Sequence, residues 1–471
     1  MSFNDMTLHR RALIRNAFAA GAVVATGGVW AGLAAGPAGA ASPYRGGYGP
    51  LVADPAGILD LPAGFQYKIL AKGSTLYDGS GRSTYDDGQP FAGYADGAAS
   101  FAIAGNRTAL VTNHEVRIGL DGEVEDDPGD AVPHTFRGEP VPTYDPEDIG
   151  GCSVIVVDRN NEVVGIRPAI AGTRNNCAGG PTPWGTWLTC EENTDEGPTK
   201  PHGYVFEVDP SCGETVATPY TGMGRMDHEA VAIDPRTSIA YLTEDDGNGS
   251  LYRYVPNNTS MRYGSLHADG GTLSCMKVGD LERLGEVTVP GTELPLEWLE
   301  IAEPDVGGLN STLPDGVTRS DKLEGCWWNA MDNRFWFVVS EEGEVEELFH
   351  RGQVWAYDPA TGLVELMVHI PGPDEDMPFD GPDNITIAPW GQPFLCEDGD
   401  GDQFVIGVDP DGSLWPLAQN RIEVEDEGEL EVNEFAGANF SPDCRTLFVS
   451  VQVPGTTFAI TGPWGEVRNG A

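Results

Sequence analysis

What most constrains this chain is a repeat. Several segments share one plan: an apolar run, a Pro/Asn/Asp turn, a second apolar run with an acidic ending, and a third run. The clearest unit reads Glu229-Ala-Val-Ala-Ile-Asp234-Pro, then Ile239-Ala-Tyr-Leu-Thr243-Glu-Asp-Asp246, then Leu251-Tyr-Arg-Tyr-Val-Pro256. Similar units surround Trp187–Pro210, Gly325–Pro359, Asn384–Pro410 and Phe435–Ile460, and a weaker copy ends at Val111-Thr-Asn-His-Glu115. Short runs of β-branched and aromatic residues bounded by turns read as strands. Aligning the second strands places Asn113, Cys190, Glu244, Ser340, Cys396 and Ser450 in one column, at gaps of 77, 54, 96, 56 and 54. A step of 54–56 suits a four-stranded blade with long loops. The two long gaps hold insertions at about 121–149 and 256–318. Six units predict an all-β chain: a six-bladed β-propeller with loop insertions, spanning 41–471. A pair of β-sandwiches is the alternative, and it leaves the step unexplained. With 62 glycines and 36 prolines in 471 residues, short strands and turns are favoured over long helices.

The first 40 residues read as an address. Arg10-Arg11 precedes a weakly apolar, Ala/Gly-rich run from Ala17 to Ala35, and Ala38-Gly39-Ala40 offers a small-x-small cleavage site. This is the pattern of a twin-arginine export signal over 1–40; an ordinary secretory signal with two incidental arginines is the other reading. No second apolar segment follows, so no stable membrane insertion is expected. The expected destination is periplasmic, cell-surface or extracellular, with the twin-arginine machinery as a partner in transit. Such signals carry folded proteins, so the resemblance to them implies that a metal site could be loaded inside the cell before export. The eight cysteines show no tight spacing, and a disulfide between Cys152 and Cys177 is one pairing the sequence allows.

Charge narrows the function. There are 73 acidic against 27 basic residues, a net charge of −46. Such a surface repels phosphate backbones, which argues against nucleic acid, and makes cations the natural partners. Most of these acids serve solubility, but the repeat gathers others. Consecutive strands of a blade are antiparallel, so first-strand starts and second-strand finishes meet at one end. Starts are acidic at Glu229, Glu324 and Asp383, with Glu434 a looser match. Finishes are acidic at Glu115, Glu191-Glu192, Glu244-Asp245-Asp246, Glu341-Glu342 and Glu397-Asp398. Acids after strands also form turns, but five units in one register point to a ring around one mouth of the channel. Crowded carboxylates need neutralising cations. The candidate ligands are Glu115, Cys190, Glu191, Glu229, Glu324, Glu341, Asp383, Asn384 and Asp398. Their oxygens suit calcium, while a Cys190 thiolate beside Glu191 suits iron or zinc.

Longer strings carry a resemblance. Trp184-Gly-Thr-Trp-Leu-Thr-Cys-Glu-Glu-Asn193, Gly224-Arg-Met-Asp-His-Glu-Ala230, Gly381-Pro-Asp-Asn384, Leu61-Pro-Ala-Gly-Phe65 and Asn113-His-Glu115 resemble the PhoX-type alkaline phosphatases over nearly the whole chain. The resemblance implies a propeller carrying a mixed cluster of Fe3+ and Ca2+ that hydrolyses small phosphate monoesters. It places the family's cysteine ligand on Cys190 and its His-Glu glutamate on Glu229. The family's Arg-x-Glu falls on Lys322-Leu-Glu324, so lysine stands where the family has arginine. Lysine keeps the charge but loses the planar fork that grips two phosphate oxygens. Lys322 and Arg225 are therefore the candidate catalytic cations, with Arg225 or Arg319 to compensate for the fork. His114 and His228 are candidates for orienting carboxylates or moving protons. No G-x-S-x-G, Walker or H-E-x-x-H string occurs. Two rival functions are a calcium-dependent propeller esterase or lactonase-like hydrolase, and a non-catalytic propeller that binds a partner through its acidic mouth.

Overall fold

A computed structural model describes residues 47–73, 81–117, 141–213, 216–340, 350–371, 378–426 and 429–464. The predicted export signal, most of the 121–149 insertion and the candidate ligand Glu341 lie outside these residues. Within them the regular elements are strands and three short 3-10 turns, at Thr221–Met223, Leu284–Glu286 and Leu309–Thr312. Among the described residues no helix is long and apolar enough to cross a membrane.

The strands form antiparallel meanders whose first members crowd together. These inner strands are Ala95–Ile103, Asn176–Pro181, His228–Ile233, Leu323–Asn329, Pro382–Ile387 and Phe435–Phe440. Each packs against the next, and the last packs against the first, so they close a ring. Close approach demands small residues. A Cβ on Gly97 would lie 2.5 Å from the Ala178 Cα, and one on Gly325 would lie 2.8 Å from the Asn384 Cα. The ring encloses a cavity of about 20 Å³ lined by Gly97, Ala178, Gly325, Asn384 and Ala438, among others. That is room for about one water.

Apolar layers between neighbouring meanders hold the ring together. Tyr241, Phe335, Phe337 and Trp355 pack in one such layer, and Phe394, Trp415, Phe435 and Phe458 in another. The chain ends are tied in the same way. Gln66–Lys72 pairs with Thr456–Thr461, joining an N-terminal strand to the C-terminal meander. This lets a chain folded in sequence order seal its own sheet edge.

The sheets correct the expected architecture. The hydrogen bonding does not divide the strands into six separate four-stranded blades; the sheets hold six, three, nine, two, four and four strands. Only Ala95–Thr173 and the Phe435–Thr461 meander with Gln66–Lys72 contribute free-standing four-stranded sheets. The main cause lies in the segment read from sequence as an insertion at 256–318. There Glu293–Glu300 pairs with Gly271–Val278 on one side and with Leu363–Pro371 on the other, welding two meanders into the nine-stranded sheet. Likewise Leu59–Pro62 joins Leu414–Asn420 and enlarges another sheet. The propeller is therefore irregular, and the six-bladed expectation is withdrawn.

Candidate metal centre

One local device builds the site. In every inner strand the register slips by one residue shortly after the strand begins. Ala95 faces His114 but Ala98 faces Thr112; Asn176 faces Glu191 but Gly179 faces Thr189. The same shift separates His228 from Val231, Leu323 from Cys326, Pro382 from Ile385, and Ala436 from Asn439. Such bulges re-aim a side chain. The first bulged residue is Asp96, Cys177, Glu229, Glu324 or Asp383 in five strands and Gly437 in the sixth. At Gly437, φ is 64° and a Cβ would lie 2.3 Å from the Asp96 carbonyl oxygen, so no side chain fits there.

A second tier comes from the residues just after the second strands. Ligand-type atoms of Asp96, Glu115 and Cys177 lie within 4.8 Å of one another, as do those of Cys177, Glu192 and Glu229. Glu229, Glu324 and Asp383 form a third such group within 4.8 Å, and Asp383, Asp398 and Glu434 a fourth. Neighbouring groups share Cys177, Glu229 and Asp383, so the four are one continuous arc.

The arc is electrostatically extreme. Eight carboxylates and a thiol stand against two cations, Arg117 on Glu115 at 2.7 Å and Lys322 on Glu324 at 3.0 Å. Burial, and then the neighbouring carboxylates, push Asp96, Glu229, Glu324, Asp383 and Glu434 well above the usual carboxylate range. Glu192 is raised by burial and Glu115, with Arg117 opposing. Burial and then Asp96 raise the Cys177 thiol. Two carboxylate oxygens, Asp96 Oδ1 and Glu229 Oε1, are buried with no hydrogen-bond partner. A buried carboxylate oxygen without a donor is costly. A bound cation is what such atoms fit, and the mixture of oxygens with one thiol suits more than one kind of metal.

Of the residues predicted from sequence, Glu115, Glu229, Glu324, Asp383 and Asp398 are brought into the arc. Lys322 stands over it, also 4.0 Å from Asp245, at a left-handed backbone φ of 44°. Asn384 lies beside it in a supporting position: its Nδ2 donates to Asp383 Oδ1 at 2.7 Å and its Oδ1 accepts from the Gly437 N–H at 2.6 Å. Cys190, Glu191 and Arg225 are not brought in. Cys190 is buried in an apolar layer with Leu188, Val205 and Val231. Glu191 accepts from Arg174 N–H, Gly203 N–H, Tyr204 N–H and the His202 ring, stapling a turn. Arg225 is consumed by the carbonyls of His202, Thr194 and Asp195. Arg319 donates to the carbonyls of Asn248 and Asn310.

The reason is register. Glu191, Glu244 and Glu397 pair with the residue just before each bulge, and all three accept hydrogen bonds from the lead-in to the third strand. The next residues, Glu192, Asp245 and Asp398, lie on the arc's side, because successive strand residues face opposite ways. The sequence column mixed these positions: Cys190 falls one residue before the pairing position, Glu244 on it and Ser340 one after. Asp96, Cys177 and Arg117 were missed as site residues, and Glu192 and Glu434 were read as acids of the mouth but not chosen as ligands. A readable signal existed at four of the six inner-strand starts, a ligand-type residue followed by a small one: Asp96-Gly97, Cys177-Ala178, Glu229-Ala230 and Glu324-Gly325.

Neither His114 nor His228 is among the ligand groups of the arc. Burial lowers His114 and His228 to about 4, so both rings are neutral near pH 7. His114 bonds the Gly93 carbonyl and Ser153, and His228 the Gly224 carbonyl. Cys152 and Cys177 are free thiols, so the disulfide allowed by sequence does not form.

Fold and site together define a metal-dependent hydrolase built on a β-propeller. Residues 46–167 and 165–455 match the family model described as alkaline phosphatase PhoX. The chain belongs to that family. Among solved structures, PhoX of Pseudomonas fluorescens in complex with vanadate, a transition state analogue, is 18% identical, covering 86% of this chain and 96% of that one at a TM-score of 0.66. A gluconolactonase from Xanthomonas campestris is 12% identical, covering 89% and 100% of the two chains, at a TM-score of 0.41. No curated protein sequence matches this chain.

Proposed function

We propose that the chain is an exported phosphatase that hydrolyses phosphate monoesters at a multinuclear iron and calcium centre in the propeller mouth. The observation that carries this reading is the pair of buried, donorless carboxylate oxygens, Asp96 Oδ1 and Glu229 Oε1, within an arc of eight acids and one thiol. Asp96, Glu115, Glu192, Glu229, Glu324, Asp383, Asp398 and Glu434 supply hard oxygens suited to calcium and ferric iron. Cys177 supplies the one soft ligand, which favours iron at its end of the arc. Cys177, Glu229 and Asp383, each shared by two neighbouring groups, would be among the residues holding the metals there.

When bound, the metals provide Lewis-acid polarisation of the phosphoryl oxygens and an activated water nucleophile near neutral pH. The chain's own residues do the rest. Glu324 and then Asp245 raise the Lys322 pKa, so its ammonium stays charged and faces charge developing on the phosphoryl group. Asn384 holds the Asp383 carboxylate in place. Family membership supports phosphate esters as the substrate class and export as the destination, with Arg10-Arg11 directing transit through the twin-arginine machinery.

A panel of phosphate esters and lactones, assayed with metal content on the same sample, tests the reading. Phosphatase turnover with iron and several calciums per chain is expected. Calcium alone with lactone turnover, or metal with no turnover, would transfer the site to one of the rival functions.

A further inference from the structure

The phosphatase reading leaves one cation unassigned. Arg117 places Nε and Nη2 on the same Glu115 oxygen, each at 2.7 Å. The other Glu115 oxygen takes the Gln452 amide at 2.6 Å, and that amide also reaches Asp96 at 2.9 Å. Glu115 is 2% exposed, but the Arg117 side chain is 52% exposed. The guanidinium therefore has a bonded inner edge and an exposed outer edge. Its position is braced from behind: Val116 is fully buried against Tyr94, and the Val116 N–H donates to the His114 carbonyl at 2.9 Å.

The other arginines near the mouth are spoken for. Arg225 and Arg319 are held by backbone carbonyls, and Arg351 bridges Asp380 and Asp400. Lys322 stands on the flank of Glu324 and Asp245, whereas Arg117 stands on that of Glu115 and Glu192. The arc between them is where a phosphoryl group would sit on bound metals. A lysine is a point charge, while a guanidinium presents parallel donors that match two oxygens of a phosphate.

We propose that Arg117 is a further substrate-binding residue, gripping phosphoryl oxygens with its outer edge from the side opposite Lys322. The proposal rests on the phosphatase reading and deepens it. Glu115 and Gln452 fix the inner edge, so the fork is pre-organised and little freedom is lost on binding.

The test measures equilibrium binding of inorganic phosphate and of orthovanadate to the metal-loaded full chain, with metal content and ester turnover on each sample. Arg117→Gln keeps a donor for Glu115 but removes the charge and fork. It is expected to weaken phosphate binding by about tenfold to hundredfold, the range of a charge-assisted hydrogen bond, with metal content unchanged. Arg117→Lys should recover only part of the loss. Unchanged phosphate affinity in Arg117→Gln, with wild-type turnover intact, would overturn the proposal alone. So would an affinity loss that tracks lost metal, which would make Arg117 a support for Glu115. Should the fully loaded wild-type chain neither bind phosphate nor cleave any ester, the phosphatase reading falls and takes the proposal with it.

Discussion

Two cysteines on neighbouring paired strands should fail in opposite ways. Cys177 has its Sγ 3.9 Å from Asp96 Oδ2 and within 4.8 Å of ligand atoms of Glu115, Glu192 and Glu229. A serine there finds carboxylate acceptors, so Cys177→Ser should change the stability of the metal-free chain by less than about 1 kcal/mol. It removes the only soft ligand of the arc, and a hydroxyl is far harder to deprotonate than a thiol, so metal per chain and turnover should fall together. Cys190 is fully buried among Leu188, Val205 and Val231. Cys190→Ser puts a hydroxyl into that apolar layer at a cost of about 1–3 kcal/mol, a melting-temperature loss of roughly a few degrees for a chain of this size, with metal retained. The assay is metal analysis, turnover on a phosphate ester, and thermal melts with and without chelator for both variants. Metal loss in Cys190→Ser with retention in Cys177→Ser would refute the register argument that separates the two.

Chelation should lower the melting temperature, because metals bound to the native state add stability by linkage. The loss should grow with pH. In the metal-free fold, burial and then Asp246 raise Asp227 to about 7, while burial raises Glu244 from 4.5 to about 8. The native state then holds protons that the unfolded chain releases, so stability falls from pH 3.8, where Asp227 begins to differ, up to about 8; chelated protein melting as high at pH 8 as at pH 5 would contradict this. Lys322→Ala should cut kcat/KM by roughly tenfold to hundredfold, while Lys322→Arg keeps or raises it, read from steady-state kinetics at fixed metal content. Replacing Arg10 and Arg11 by lysine should block export of the folded protein, and undiminished mature protein outside the cytoplasm would assign the segment to general secretion.

Much of the chemistry lies in local strings. The repeat of apolar runs and turns marks the strands, and the acids at strand starts and finishes mark the mouth, because alternation and turn chemistry are properties of neighbouring residues. Glu115, Glu229, Glu324, Asp383 and Asp398 were legible on those grounds. Two things were not. The number and size of sheets depended on Glu293–Glu300 finding Leu363–Pro371 across a long separation, which no local pattern encodes. The identity of the thiol depended on register. Cys190 and Glu191 sit in the most family-like string, yet a one-residue bulge in the partner strand turns Cys177 and Glu192 toward the arc instead. The sequence by itself determined that strands would form and that acids would gather at one end of them. Which of two adjacent residues faces the metals was decided only when each inner strand bulged against its partner, because side chains alternate with a period of two and a single slip exchanges the faces.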